Sequence, residues 1–263
     1  MLLAFDIGNT NIKVGVFNDS CENMICSFAI SSATIRTSDE YYLLIKQMLS
    51  EYSVFDKLNA SVISSVVPSI TESISNAVSK ICNRRPFIIG SGTRTGFPIR
   101  IDVQTQLGAD IVSNTAASFL TCKPPFVVVD LGTATTITAV DCNGCLIGAS
   151  IIPGATVSLN ALNSTAALLS DIALKKPVYL IGKNSQDSIC SGVYYSNVFA
   201  IDGFIDSLAK ELCKNGETLD LIGTGGLCDV ILPECRNNFR TVNNLTLMGA
   251  AHLFYSNILH KHN

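Results

Sequence analysis

The chain opens as short apolar runs broken by polar turns. Leu2–Asp6, Asn11–Asn18 and Asn23–Ile30 predict three strands. A helix is predicted from Ser38, a residue able to cap it, through about Tyr52. Ala60–Val67 is rich in β-branched residues and predicts a strand that Pro68 ends. From Ser69 to Cys82 the apolar residues Ile70, Ile74, Ala77, Val78 and Ile81 follow helical spacing. A short strand at Phe87–Ile89, a loop over Ser91–Pro98 and a helix over Leu107–Thr121, starting near Gly108, complete this stretch.

The pattern then restarts. Phe126–Val129 is an apolar run that enters Asp130-Leu131-Gly132-Thr133, followed by strands at Thr135–Val140 and Leu146–Ile152. Helices are predicted over Ala155–Leu169, Gln186–Cys213 and Thr246–His260, with a strand at Leu219–Ile222 running into Gly223-Thr224-Gly225-Gly226. Phe5-Asp6-Ile7-Gly8-Asn9 can be laid over Val129-Asp130-Leu131-Gly132-Thr133. Each is an apolar strand, an Asp, an apolar residue, a Gly and a polar turn leading into a second strand. A repeat this long exceeds any solenoid period. It predicts an α/β chain of two similar halves facing each other across a cleft, 1–122 and 123–263.

Composition narrows the class. In 263 residues, 48% are hydrophobic and 15% charged, which is the balance of a globular chain. The net charge of −3 offers no basic surface for nucleic acid. The start MLLAFDIGN lacks the basic and apolar regions of a secretory signal. The longest uncharged stretch, Cys142–Ser170, contains Pro153, Gly154, Asn160 and Asn163, so it reads as core and pocket lining rather than a membrane span. Ten cysteines in a chain of this size do not suggest a disulfide framework. The one CxxC, Cys142-Asn143-Gly144-Cys145, encloses the Asn-Gly of a type I′ hairpin, and two of three histidines, His260 and His262, lie in the tail. The other cysteines read as small buried hydrophobes, consistent with a reducing cytoplasm.

Three turns carry candidate chemistry. In Asp6-Ile7-Gly8-Asn9-Thr10 the glycine lets backbone N–H groups approach an anion, and Asn9 and Thr10 add donors. Asp6 beside such donors makes sense as a holder of Mg²⁺, directly or through water, and Lys13 adds positive charge. Asp130-Leu131-Gly132-Thr133-Ala134-Thr135-Thr136 is a second such turn. The plain alternatives are a hairpin turn for the first and the strand propensity of Thr for the second. Glycines Gly223, Gly225 and Gly226 at a strand–helix junction admit a nucleotide close to the backbone, or simply end a strand.

The order phosphate turn, phosphate turn, adenosine turn resembles the actin, Hsp70 and sugar-kinase superfamily. Within it the chain resembles type III pantothenate kinase over nearly its whole length. The matching pieces are DIGNTNIKVGVF (6–17), TSDEY (37–41), SSVVP (64–68), LGAD (107–110), DLGTATT (130–136), the PG at 153–154, IGKNS (181–185), SGVYY (191–195) and TGG (224–226). The resemblance implies a duplicated two-lobed actin-like ATPase (ribonuclease H-like) fold, with mixed sheets flanked by helices. It also implies a homodimeric cytoplasmic enzyme that phosphorylates pantothenate in the first step of coenzyme A biosynthesis. Asp6, Gly8, Asn9, Thr10, Lys13, Gly132, Thr133 and Gly225 would bind ATP, with Mg²⁺ at Asp6 and a monovalent cation, K⁺ by family habit, at Asp130. Asp110 would be the general base, and Gly108, Ala109, Ile111 and Ser185 would line the acceptor site.

Two features of the residues themselves stand beside these roles. A carboxylate at a helix start is favoured by the helix dipole, which would lower the basicity of Asp110, and Ser185 also suits a helix cap. Departures cluster at the acceptor site. The family's GADR reads GADI here, with Ile111 in place of Arg, and Ile101, Gln104 and Gln106 stand where the family has Tyr, Pro and Glu. Ile replaces neither the charge nor the bidentate donor of Arg, although Arg94 or Arg100 could compensate. A different hydroxylated acceptor, or a non-catalytic ATP-binding relative, are the alternatives this leaves. Actin- or Hsp70-like roles are disfavoured because the chain lacks length for the extra subdomains.

Overall fold

The computed structural model describes residues 1–165, 172–213 and 217–259. Strands β1 (Leu2–Ile7), β2 (Asn11–Phe17) and β3 (Met24–Ser31) form an antiparallel meander. Helix α1 (Ser38–Glu51), β4 (Ala60–Ser65), α2 (Pro68–Cys82), β5 (Phe87–Ile88) and α3 (Ala109–Ser118) follow. The second run has β6 (Phe126–Leu131), β7 (Ala134–Val140), β8 (Leu146–Pro153), α4 (Ala155–Thr165), α5 (Ser185–Leu212), β9 (Asp220–Thr224), α6 (Cys228–Ile231), β10 (Arg240–Thr241) and α7 (Leu245–Leu259). The expected continuation of α4 to Leu169 and the last residue of the final helix, His260, lie outside the described residues.

The duplication is visible in the sheets. The first has the order β3-β2-β1-β4-β5 and the second, read from its other edge, β8-β7-β6-β9-β10. In each, the central strand pairs antiparallel with the next strand in sequence and parallel with the strand that follows a crossover. Both meanders carry a register irregularity at the same place, Val16/Phe17 and Ala139/Val140. Period-two alternation divides the first sheet cleanly. Leu3, Phe5, Ile7 and Ile63 pack toward α1 and α2, while Leu2, Ala4, Ala60 and Val62 pack toward α3 and α7.

The chain forms two compact units. One comprises Met1–Phe97, Asp102–Thr121 and Asn244–Asn263, and the other Pro98–Ile101 and Cys122–Asn243. A single cut near 122 therefore misassigns the last helix. Helix α7 belongs to the first unit, where Leu247, Ala250, Ala251 and Leu253 are buried with Ala109, Val112 and Ala116 of α3. Two close contacts hold it there. A Cβ at Gly249 would overlap the Ser113 carbonyl oxygen, and the Thr246 hydroxyl donates to Asn114 Oδ1 at 2.9 Å. The short Pro98–Ile101 segment joins the second unit by hydrogen bonds, Leu146 N–H to Pro98 O and Arg100 N–H to Leu146 O, both 2.9 Å.

Helix starts correct two expectations. Thr37, not Ser38, caps α1 in a capping box: Glu40 N–H donates to Thr37 Oγ1 at 3.3 Å and Thr37 N–H to Glu40 Oε2 at 2.8 Å. Asn184, not Ser185, caps α5, accepting from Asp187 N–H at 2.8 Å. The hairpin forms, but not through the expected type I′ turn: Gly144 N–H donates to Asp141 O at 2.9 Å, so Cys142 and Asn143 are the central residues and Gly144 alone has positive φ, 73°. The Asp141 carboxylate accepts from the Asn143 and Cys145 N–H groups at 2.9 Å.

Candidate active site

In the first unit, Gly8, Asn9 and Thr10 form the turn between β1 and β2. Gly8 N–H donates to Asn11 O at 3.0 Å, which closes the turn. Ser32, just past β3, braces it from the side. Its N–H reaches Thr10 O at 2.9 Å and its hydroxyl reaches Gly8 O at 2.7 Å. Asn9 and Thr10 are exposed. Asp6 is the cross-strand partner of Lys13 on β2 and the parallel partner of Ser64 on β4. By the alternation above, all three lie on the face that α3 covers.

That helix carries Asp110. Gly108 precedes its first residue, Ala109, and a Cβ at Gly108 would overlap Asp110 Oδ1, so the glycine lets the carboxylate fold back over the helix start. The same Cβ would lie 3.7 Å from a Val66 methyl, which places the end of β4 beside the carboxylate. Asp110 Oδ1 accepts from Ile111 N–H at 2.8 Å. Burial pushes the Asp110 carboxyl above its ordinary value, against its own and Ile111's N–H groups, which favour the ionised form. The expected loss of basicity at a helix start is thus reversed, because desolvation outweighs the backbone donors. Ile111 is buried, on a helix whose next seven residues are buried as well.

In the second unit the equivalent turn, Gly132–Thr133, is one residue shorter, since β6 ends at Leu131 and β7 starts at Ala134. Two backbone segments, at Gly154 and at Gly225–Leu227, converge on this turn and the strand end before it. Gly154 N–H donates to Thr133 O at 3.2 Å, and a Cβ at Gly154 would overlap the carbonyl oxygens of Thr133 and Gly132. Gly225, at φ 99°, lies so close to Leu131 that a Cβ would overlap its backbone. Leu227 N–H then bonds Leu131 O at 3.4 Å. Asp130 pairs laterally with Thr136 and Thr224. Sequence reasoning named Gly225 but gave Gly154 no role. Its signal was its place directly after the third strand of the repeat, where Ser32 stands in the first half. Ser185 is exposed at the first position of α5, preceded by Gly182, which packs against the backbone of Asp187 and Ser188.

Among the described residues no cluster of three or more His, Cys, Asp or Glu forms a metal site. The absence of such a cluster does not conflict with Mg²⁺ at Asp6, because Mg²⁺ is commonly held by one or two carboxylates together with substrate phosphates.

The family model for type III pantothenate kinase matches residues 2–207. The chain belongs to the type III pantothenate kinase family. Among curated members of that family, the one from Pelobacter propionicus is 34% identical over 258 residues, covering 98% of this chain and 100% of its own. The one from Exiguobacterium sibiricum is 36% identical over 236 residues, covering 89% and 90%. Among solved structures, acetate kinase from Porphyromonas gingivalis matches with a TM-score of 0.52 at 10% identity, covering 98% of this chain and 99% of that one. The ethanolamine utilization protein EutJ from Carboxydothermus hydrogenoformans matches with a TM-score of 0.52 at 12% identity, covering 95% and 89%. These structures speak to the fold alone, the duplicated α/β fold of two mixed five-stranded sheets. Among the described residues no helix of this family member is long and apolar enough to cross a membrane.

Proposed function

We propose that this chain transfers the γ-phosphoryl group of ATP to the hydroxyl of pantothenate, giving 4′-phosphopantothenate at the entry to coenzyme A biosynthesis. The observation that carries the reading is Asp110: a carboxyl made more basic by burial, on the helix that covers the Asp6 face of a sheet, in a chain matching the family over nearly its full length.

Phosphoryl transfer asks mostly for positioning and charge neutralisation. In the first unit the Gly8–Thr10 turn and Lys13 hold phosphate oxygens, and Asp6 holds Mg²⁺, whose bound charge offsets that of the phosphates. In the second unit Thr133 contacts a phosphate, Gly132 and Gly225 admit the nucleotide close to the backbone, and Asp130 holds a monovalent cation, K⁺ by family likeness. Gly108, Ala109, Ile111 and Ser185 contact the acceptor. Asp110 takes the hydroxyl proton as the new O–P bond forms, and the bond from the γ-phosphorus to ADP breaks with its electron pair leaving on ADP. The family likeness also supports a cytoplasmic homodimer. The exposed apolar run Val178, Tyr179, Leu180 and Ile181 gives a second copy something to cover.

A second reading keeps the kinase and changes the acceptor. Buried Ile111, where the family has Arg, favours it, because a guanidinium that would pair with an acidic acceptor is missing. Mass-spectrometric detection of product from ATP, Mg²⁺ and pantothenate, in K⁺ or Na⁺, separates the readings. Phosphopantothenate that disappears in Asp110→Asn supports the first. ADP release with another small alcohol, and none with pantothenate, moves the assignment to the second.

A further inference from the structure

Two buried serines connect the strand that carries Asp6's neighbour to the helix that carries Asp110. Ser64, fully buried on β4, is the parallel partner of Asp6 and shares its face of the sheet. Ser113, also fully buried, sits one turn into α3. Its Oγ lies 3.3 Å from Ser64 Oγ and 2.7 Å from Ala109 O. A serine has one proton to donate. Ser113 Oγ is the donor in both contacts, so its one proton lies mainly in the shorter bond and is shared with Ser64 Oγ. Behind this pair, α7 presses Gly249 against the Ser113 carbonyl with no room for a side chain. Ahead of it, Val66 follows Ser64 in β4's exit and borders the Asp110 carboxylate at Gly108.

From this arrangement we infer that Ser64 and Ser113 are positioning residues for the phosphoryl transfer: their hydroxyl contact sets the distance between the Asp6 strand and the helix start that holds Asp110. The inference rests on the kinase reading above. Bringing acid, metal and base groups to a fixed separation is where much of the rate of such a reaction arises, and small misplacements are costly. Ordinary packing makes a contrary forecast. Ser113→Ala removes a side chain bonded back to the i−4 carbonyl, a contact that slightly disfavours helices, and installs the best helix former. On packing alone that variant is as stable and as active as the parent.

The test uses the full chain, with Ser64→Ala, Ser113→Ala and the double variant. The expected result is a fall in kcat of about tenfold in each single variant, with the KM for ATP and the melting temperature unchanged. The double variant should be no slower than either single one, because the two hydroxyls act as one unit. Hydrogen exchange gives a readout independent of turnover. The amides of Asp110 and Ile111 should exchange faster in Ser64→Ala while those of α5 keep their rates. Unchanged kcat together with unchanged exchange at Asp110 and Ile111 overturns the inference, as does a fall in kcat that tracks a fall in melting temperature. If the parent makes no phosphopantothenate, the acceptor assignment fails by itself, and the exchange result still decides whether the serine pair sets the helix start.

Discussion

Asp110 is pulled two ways, and the balance is measurable. Its own N–H and that of Ile111 favour the carboxylate, while burial favours the neutral acid and prevails. Between the ordinary value of 3.8 and the raised folded value, the native state binds the proton more tightly than the unfolded chain does. The stability that Asp110 contributes is therefore fully present below about 3.8 and is lost as pH rises through the folded value. At pH 7 the ionised carboxylate is a net cost, so Asp110→Asn should abolish turnover yet melt no lower than the parent in calorimetry at pH 7. A drop of several degrees would show instead that partners of the carboxylate outweigh its desolvation. On the proposed role as base, Asp110 should set the acid limb of kcat/KM, with a fall as pH drops through a value above the usual carboxylate range. Little of this was legible in the sequence. Composition and spacing put an Asp at a helix start, where the dipole argues for an acidic group. Only the packing of β4's exit and Gly108 around it reveals the opposing burial.

Elements were easier to read than their ends, for a physical reason. Apolar spacing reports which face is buried, and it located β1 to β4, α2, α5 and both Asp turns. Helix starts depend instead on which of two adjacent polar residues turns back to the first amides. Thr37 rather than Ser38 does so because Glu40 stands at the third helical position and can answer it, a signal present in TSDEY. The placement of α7 was not legible. Its apolar residues could have faced either unit, and the choice rests on a glycine meeting a backbone, Gly249 against Ser113. Gly249→Ala should accordingly force α3 and α7 apart and cost about 1–3 kcal/mol, the usual range for overpacking, despite the better helix propensity of Ala. Urea unfolding measures it. An alanine variant as stable as the parent would mean that the two helices can slide without loss. Because α3 also carries Asp110, kcat should fall in the same variant.

At the scale of the whole molecule, the two halves repeat the same turn under different constraints. Ser32 and Gly154 occupy equivalent places, each donating its N–H to the last residue of an Asp turn, Thr10 at 2.9 Å and Thr133 at 3.2 Å. The first turn has an extra residue, so there is space for the Ser32 side chain, which adds a bond to Gly8 O at 2.7 Å. The second turn is shorter, and its carbonyls stand where a Cβ of residue 154 would be. Exchange at these two places should thus be unequal. Ser32→Gly removes one hydrogen bond and should cost about 1 kcal/mol, with the KM for ATP little changed. Gly154→Ser must displace the Gly132–Thr133 backbone, since carbonyl oxygens of a strand turn cannot swing aside as a flexible side chain can. It should raise the KM for ATP at least tenfold and lower stability by more than the first exchange. Steady-state kinetics beside thermal melts of both variants checks the pair. Equal effects would mean that the two turns tolerate the same packing and that the missing residue in the second has no consequence. The predicted inequality would show that duplication preserved the sheet order and the hydrogen bond, while turn length decided which half could keep a side chain beside its Asp turn.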